Sequence, residues 1–178
     1  MTTHVLLERT FEPPLSAAYV YESVRRTGWC YEMHRVDWRA SFLANDGRHM
    51  VCWFTAPDAE SARNALRKAE VDAQVLWPGT YHEAPEPVVP NVLVQRVFAE
   101  PVELEAVQSI EDAAAWCLQA HRVKFAWTFF SADRKRMLCL YQAPDAESVR
   151  IAQREAGMPF QAVWAFERIG PDTMISAA

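Results

Sequence analysis

Cysteine and histidine recur four residues apart at Cys30 and His34, and again at Cys117 and His121. On a helix that spacing puts a thiol and an imidazole on one face, as a metal pair or a Cys–His nucleophile requires. The same spacing also suits a buried Cys in a core stripe and a His at the helix end near the last carbonyls, and this structural reading is the preferred one. Cys52 and Cys139 fall in predicted central strands, where inert buried thiols are expected. Glu8 and Arg9 are adjacent on a predicted strand, so their side chains point to opposite faces. Glu8 has Gln95 as its counterpart later in the chain, which leaves one carboxylate where two would otherwise stand. In a cavity lined by Trp38, Trp53 or Phe42 its pKa would rise into the range of a general acid or base. Arg9 is the candidate anion anchor, and His34 and His49 complete the candidate catalytic set. The aromatic residues Trp38, Phe42, Trp53, Trp127 and Tyr141 are candidate ligand contacts, whereas Trp29, Trp77, Trp116 and Trp164 are expected to pack. No metal-ligand set follows from spacing alone.

The chain supplying these groups has 178 residues, 51% hydrophobic and 12% aromatic, with a net charge of −5. That much apolar surface argues against long disorder. No run reaches the roughly 18 apolar residues of a membrane span, and Met1, Thr2, Thr3 and His4 do not form a basic-then-apolar leader. A cytoplasmic location is expected. The acidic balance without a Lys/Arg block argues against a nucleic-acid partner, and four scattered cysteines without a C-x-x-C pair argue against a disulfide framework or a zinc ribbon. Nucleotide-binding and common hydrolase motifs are absent.

The candidate residues are ordered by an internal repeat. Ala56-Pro57-Asp58-Ala59-Glu60-Ser61 recurs as Ala143-Pro144-Asp145-Ala146-Glu147-Ser148, and the same offset of 87, held without a gap, matches 27 of the 73 positions in 5–77 to 92–164. The expected organisation is a first repeat over 1–83, a proline-rich linker over 84–90 and a second repeat over 91–178. Each copy reads as β-α-β-β-α-β, the order of a ferredoxin-like α+β unit with both helices on one face of an antiparallel sheet. The first helix is expected to be clearer in the second copy, because Thr27-Gly28 interrupts the first. The hairpin at Asn45-Asp46-Gly47 is expected to differ from its counterpart at Ala132-Asp133-Arg134-Lys135. Alternation predicts that Trp38, Ala40 and Phe42 share one strand face. Two such sheets with apolar groups on both faces are expected to pack as an intramolecular α+β-barrel-like pseudo-dimer.

Val94-Gln95-Arg96, Val123-Lys124-Phe125 with Thr128-Phe129, Cys139-Leu140-Tyr141-Gln142-Ala143-Pro144-Asp145 and Gly157-Met158-Pro159 resemble the small bacterial nickel-binding-protein-like family. The resemblance covers most of each half and implies a ferredoxin-like fold, pairing into dimers and nickel as a ligand. The histidine positions of many members hold Ala40 and Trp127 in the second strand and Ala65 and Ala152 in the second helix, where no imidazole is available to the metal.

These readings converge on a non-enzymatic small-ligand or metal-ion binding protein made of two fused ferredoxin-like domains. The expected ligand is a small apolar or aromatic molecule, with nickel as the family-implied metal and a homo-oligomer as a further expectation. The alternative is a cofactor-independent α+β-barrel enzyme, an isomerase, cyclase or oxygenase acting on a similar substrate.

Overall fold

A computed structural model describes residues 2–176. It is an α+β protein that divides into two units, one formed by Met1–Gly79 with Glu167–Ala178, the other by Thr80–Phe166. The boundaries between the units fall inside two strands, not in the proline-rich stretch.

In the first unit, β1 (Thr3–Thr10), α1 (Ala17–Met33), β2 (Asp37–Ala44), β3 (His49–Ala56), α2 (Ala59–Lys68) and β4 (Val75–Glu83) follow in order. Antiparallel pairing of β1 with both β3 and β4, and of β2 with β3, gives the strand order β4-β1-β3-β2. The second unit has β5 (Val92–Val97), α3 (Leu104–Ala113), α4 (Ala115–Ala120), β6 (Lys124–Ser131), β7 (Arg136–Gln142), α5 (Ala146–Glu155) and β8 (Ala162–Ile169), ordered β8-β5-β7-β6. A final helix, α6 (Pro171–Ser176), belongs to the first unit.

The offset of 87 carries through to the pairing register. Val5 faces Phe54 as Val92 faces Tyr141, and Leu6 faces Trp77 as Leu93 faces Trp164. A bulge falls between Trp38 and Ala40 in β2 and between Phe125 and Trp127 in β6, again 87 apart. Each extra residue breaks the two-residue alternation. Trp38 therefore pairs with Phe54 and packs on the helix-side core, while Ala40 and Phe42 turn to the other face with Val51 and Trp53. The expected grouping of Trp38 with Ala40 and Phe42 is overturned by that one residue.

Two further expectations are corrected. α1 runs unbroken through Thr27-Gly28 for 17 residues, with the Thr27 hydroxyl donating to the Ser23 carbonyl at 2.7 Å. Its counterpart is the interrupted one, turning at Ala114 (φ −107°, ψ 19°). The hairpins also share their geometry: Gly47 (φ 71°) and Arg134 (φ 61°) occupy the same left-handed position, so Arg134 accepts a conformation that glycine adopts without steric penalty. α2 and α5 begin as the repeated motif requires, with Asp58 and Asp145 accepting the Ser61 and Ser148 amides at 2.7 Å each.

Val5, Leu7, Cys52, Phe54, Ala62, Ala65 and Leu66 form the core of the first unit; Val92, Val94, Cys139, Tyr141, Val149 and Ala152 form that of the second. Trp29 and Trp116, expected to pack, are instead more than half exposed on their helices.

Candidate functional site

The most polar interior lies between the sheet and helices of the second unit. Arg96, on β5, is 2% exposed. Its guanidinium donates to the Pro159 carbonyl and to Gln153 Oε1, both at 2.6 Å, and to the Tyr141 hydroxyl at 3.4 Å. The Tyr141 hydroxyl in turn donates to the Glu111 carboxylate at 3.1 Å. Buried Arg is tolerated when its donors are matched and a carboxylate balances the charge. Burial raises the Glu111 pKa against the pull of Arg96, and burial likewise lifts the Tyr141 phenol. Glu111 and Gln153 were not anticipated from the sequence. Glu111 was detectable as a carboxylate one turn beyond Val107 on the apolar face; the helix buries it and leaves Ile110 exposed.

Subtracting 87 from each member gives the same location in the first unit. Arg96 becomes Arg9, but Glu111 becomes Val24, Tyr141 becomes Phe54 and Gln153 becomes Leu66. Each of these three polar side chains has an apolar counterpart, and the space beneath α1 holds a cavity of about 40 Å³ lined by residues that include Arg9, Val24, Phe54 and Leu66. Ser41 and Cys52 also line it: Trp38 Nε1 donates to Ser41 Oγ at 3.0 Å, and that hydroxyl donates to Cys52 Sγ at 3.0 Å. Burial raises the Cys52 thiol pKa and pushes the Tyr31 phenol up to about 12, so both stay protonated. Among the described residues, Arg9 is the one charged side chain in the lining. Its Nε is buried without a hydrogen-bond partner among the described residues, and its guanidinium carbon sits 4.7 Å from the centre of the Phe11 ring.

Two of the candidate ligand contacts, Arg9 and Trp38, therefore meet at one cavity. Phe42 and Trp53 lie on the opposite sheet face. Trp127 is on the corresponding opposite face of the second unit, against Tyr81 with ring centres 6.1 Å apart, and Tyr141 belongs to the Arg96 network. The candidate catalytic residues are not brought together. Glu8 accepts the Trp77 indole N–H at 2.6 Å, an arrangement mirrored by Gln95 and Trp164 at 2.9 Å. His34 caps the C-terminus of α1, and His49 pairs with Thr10 at the hairpin end of β3. Cys30 and Cys117 are buried, and His121 contacts Glu155 at 2.9 Å. A histidine that sequence reasoning passed over, His4, shares a strand face with Leu6 and Glu8 and accepts the Trp53 indole N–H on Nδ1 at 3.0 Å. Burial, with the nearby Arg39 charge, lowers the pKa of His4.

The residues present do not fit a nickel site. Ala65 and Ala152 are wholly buried in the helix-side cores, and Ala40 is buried in β2. Among the described residues, no three His, Cys, Asp or Glu side chains gather into a metal-binding group.

The fold is similar to that of chlorite dismutases. Two structures of chlorite dismutase variants from Candidatus Nitrospira defluvii superpose with TM-scores of 0.57 and 0.55 at 11% identity, covering 99% of this chain and 94% and 93% of theirs. A third, provisionally designated chlorite dismutase gives 0.54 at 11% identity, covering 99% of this chain and 98% of its own. No curated protein matches the chain. Residues 93–165 match the family model described as nickel responsive protein SCO4226-like. That stretch holds the Arg96 network and the motifs that carried the resemblance, and over residues 93–165 the chain is similar to the SCO4226-like family.

Proposed function

We propose that the protein is a non-enzymatic small-ligand binding protein, built from two copies of a duplicated ferredoxin-like domain, in which the first copy binds and the second is the filled, structural copy. One observation carries this reading: equivalent space is occupied by Glu111, Tyr141 and Gln153 in the second unit and is a cavity of about 40 Å³ in the first. The strand orders, the shared register and the bulges 87 residues apart support the duplication. A cavity of this size, lined mostly by aliphatic and aromatic side chains with Arg9 as its charged group, favours a small molecule with an apolar body. Nickel enters only through the family segment, and the donor set argues against it. The enzymatic alternative lacks an assembled group, since Glu8, His34 and His49 lie at three separate places.

Xenon tests the reading without presupposing a ligand, because it enters small apolar cavities. Under xenon pressure, amide and methyl resonances of Val20, Val24, Phe54 and Leu66 are expected to shift, and those of Val107, Glu111, Tyr141 and Gln153 to stay. Equal shifts in both sets, or none in the first, would overturn the assignment of the first unit as the binding copy.

A further inference from the structure

Resting on that reading, we infer that the ligand is a small monocarboxylate with an apolar chain, held by Arg9 in the place where the second copy supplies its own carboxylate. The second unit shows what the arginine at this position requires. Arg96 is surrounded by three oxygen acceptors, and a buried carboxylate, Glu111, lies one hydroxyl away through Tyr141. These groups act as a built-in ligand: Glu111 supplies the negative charge, and the side chains of Tyr141 and Gln153 fill the space.

In the first unit the arginine is kept and the built-in ligand is removed. Val24, Phe54 and Leu66 can neither accept a hydrogen bond from Arg9 nor balance its charge. Among the described residues no carboxylate lines the cavity, and Cys52 and Tyr31 remain protonated and cannot act as its counter-ion. Nε is shielded and unmatched in both arginines, but the terminal nitrogens of Arg96 have acceptors, whereas Val24, Phe54 and Leu66 offer none to Arg9; a partly buried guanidinium so placed beside a largely apolar cavity is a site for an external anion. The anion must carry a single charge, because a single cation lines the cavity. It must also carry apolar atoms, because Leu, Val, Phe and Met side chains make up much of the wall, beside the polar atoms of Tyr19, Ser23, Tyr31, Trp38, Ser41 and Cys52. A cavity of about 40 Å³ admits a head of a few atoms. Acetate and propionate meet this description, as does the carboxylate end of a longer acid whose tail leaves past Tyr19, a half-exposed lining residue.

The test titrates the full chain with acetate, propionate, octanoate, propionamide and inorganic phosphate, read by Trp38 fluorescence and by amide shifts around the cavity. Propionate is expected to bind at least about tenfold more tightly than propionamide, the contribution of a charge-assisted hydrogen bond. Tighter binding of octanoate than of acetate would mark the longer acid as the natural size; the reverse order would mark the short one. In Arg9→Met the preference for propionate over propionamide is expected to vanish while propionamide binding persists. Installing the second copy's groups with Val24→Glu, Phe54→Tyr and Leu66→Gln is expected to abolish binding of both. Propionamide binding as tightly as propionate, an unchanged preference in Arg9→Met, or phosphate binding as tightly as propionate would overturn the carboxylate assignment and leave the binding reading standing. Failure of every probe, together with a silent xenon experiment, would remove both.

Discussion

The two arginines at one position in the repeat make the sharpest contrast at the level of single residues. Arg96 has acceptors for its terminal nitrogens and a carboxylate one hydroxyl away, so truncating it strands Glu111, Tyr141 and Gln153 in the core. Arg96→Met is expected to cost about 3–5 kcal/mol in urea denaturation, the range for breaking a buried polar network from one side. Arg9→Met breaks no such network and is expected to change stability by less than about 1 kcal/mol. A second prediction concerns His4. Its folded pKa lies below the ordinary histidine value of 6.5, so the folded state holds fewer protons there than the unfolded chain. Its contribution is therefore complete above pH 6.5 and declines as the pH falls below that value toward the folded pKa. Histidine resonances followed by NMR, with denaturation at several pH values, are expected to show His4 titrating below 6.5 and stability falling on the acidic side; His4→Gln should flatten that part of the profile. The sequence made Arg9 and Trp38 legible as ligand contacts because an unmatched charge and a non-repeating aromatic stand out. It hid Glu111 and Gln153, whose roles depend on Tyr141 and Arg96 meeting them across the core.

At the level of elements, what was legible was order and type, and what was not was local backbone conformation. The repeated Pro-Asp-Ala-Glu-Ser starts of α2 and α5 were readable because an N-cap is a local interaction, and Asp58→Ala or Asp145→Ala is expected to lower stability by about 1 kcal/mol each. The shared left-handed positions were not readable, since in two of the three pairs the residue type changes while the geometry stays. Arg35 and Arg122, Gly47 and Arg134, and Glu70 and Gly157 form three such pairs, each with positive φ. Where one copy has Gly and the other does not, glycine should relieve strain. Arg134→Gly and Glu70→Gly are each expected to raise stability by up to about 1 kcal/mol in thermal or urea unfolding; the Arg134–Glu103 ion pair lost in the first is exposed and contributes little. Gly47→Ala should move the other way. Its added Cβ would stand 2.3 Å from the Leu15 carbonyl oxygen, whose residue's amide bonds the Gly47 carbonyl at 2.9 Å.

At the level of the whole chain, the first unit is not a continuous segment, whereas the second is. The first is completed by Glu167–Ala178, which brings Ile169 into its core at 0% exposure and Thr173 to the Tyr21 hydroxyl at 3.0 Å. A fragment of residues 1–83 lacks these and is expected to give the poorly dispersed amide spectrum of an unfolded chain. In the full chain, Ile169→Ala should cost about 2–5 kcal/mol. A missing periodicity signal explains why this was hidden: pairing between distant segments leaves no mark at helical or strand spacing. The bulges have a genetic consequence as well. Asp37, Trp38, Ala40 and Ser41 keep partners that run consecutively down β3, from Thr55 to Cys52, so Arg39 alone stands outside the ladder. Losing the codon for Arg39 would leave every neighbouring side chain on its present face, whereas losing any codon from Ser41 to Leu43 would invert the faces of part of the strand. Ala126 is the corresponding surplus residue in β6, but its carbonyl accepts the Ala84 amide at 2.8 Å. The first copy should therefore tolerate a one-codon deletion at its bulge better than the second, and both better than elsewhere in the same strands.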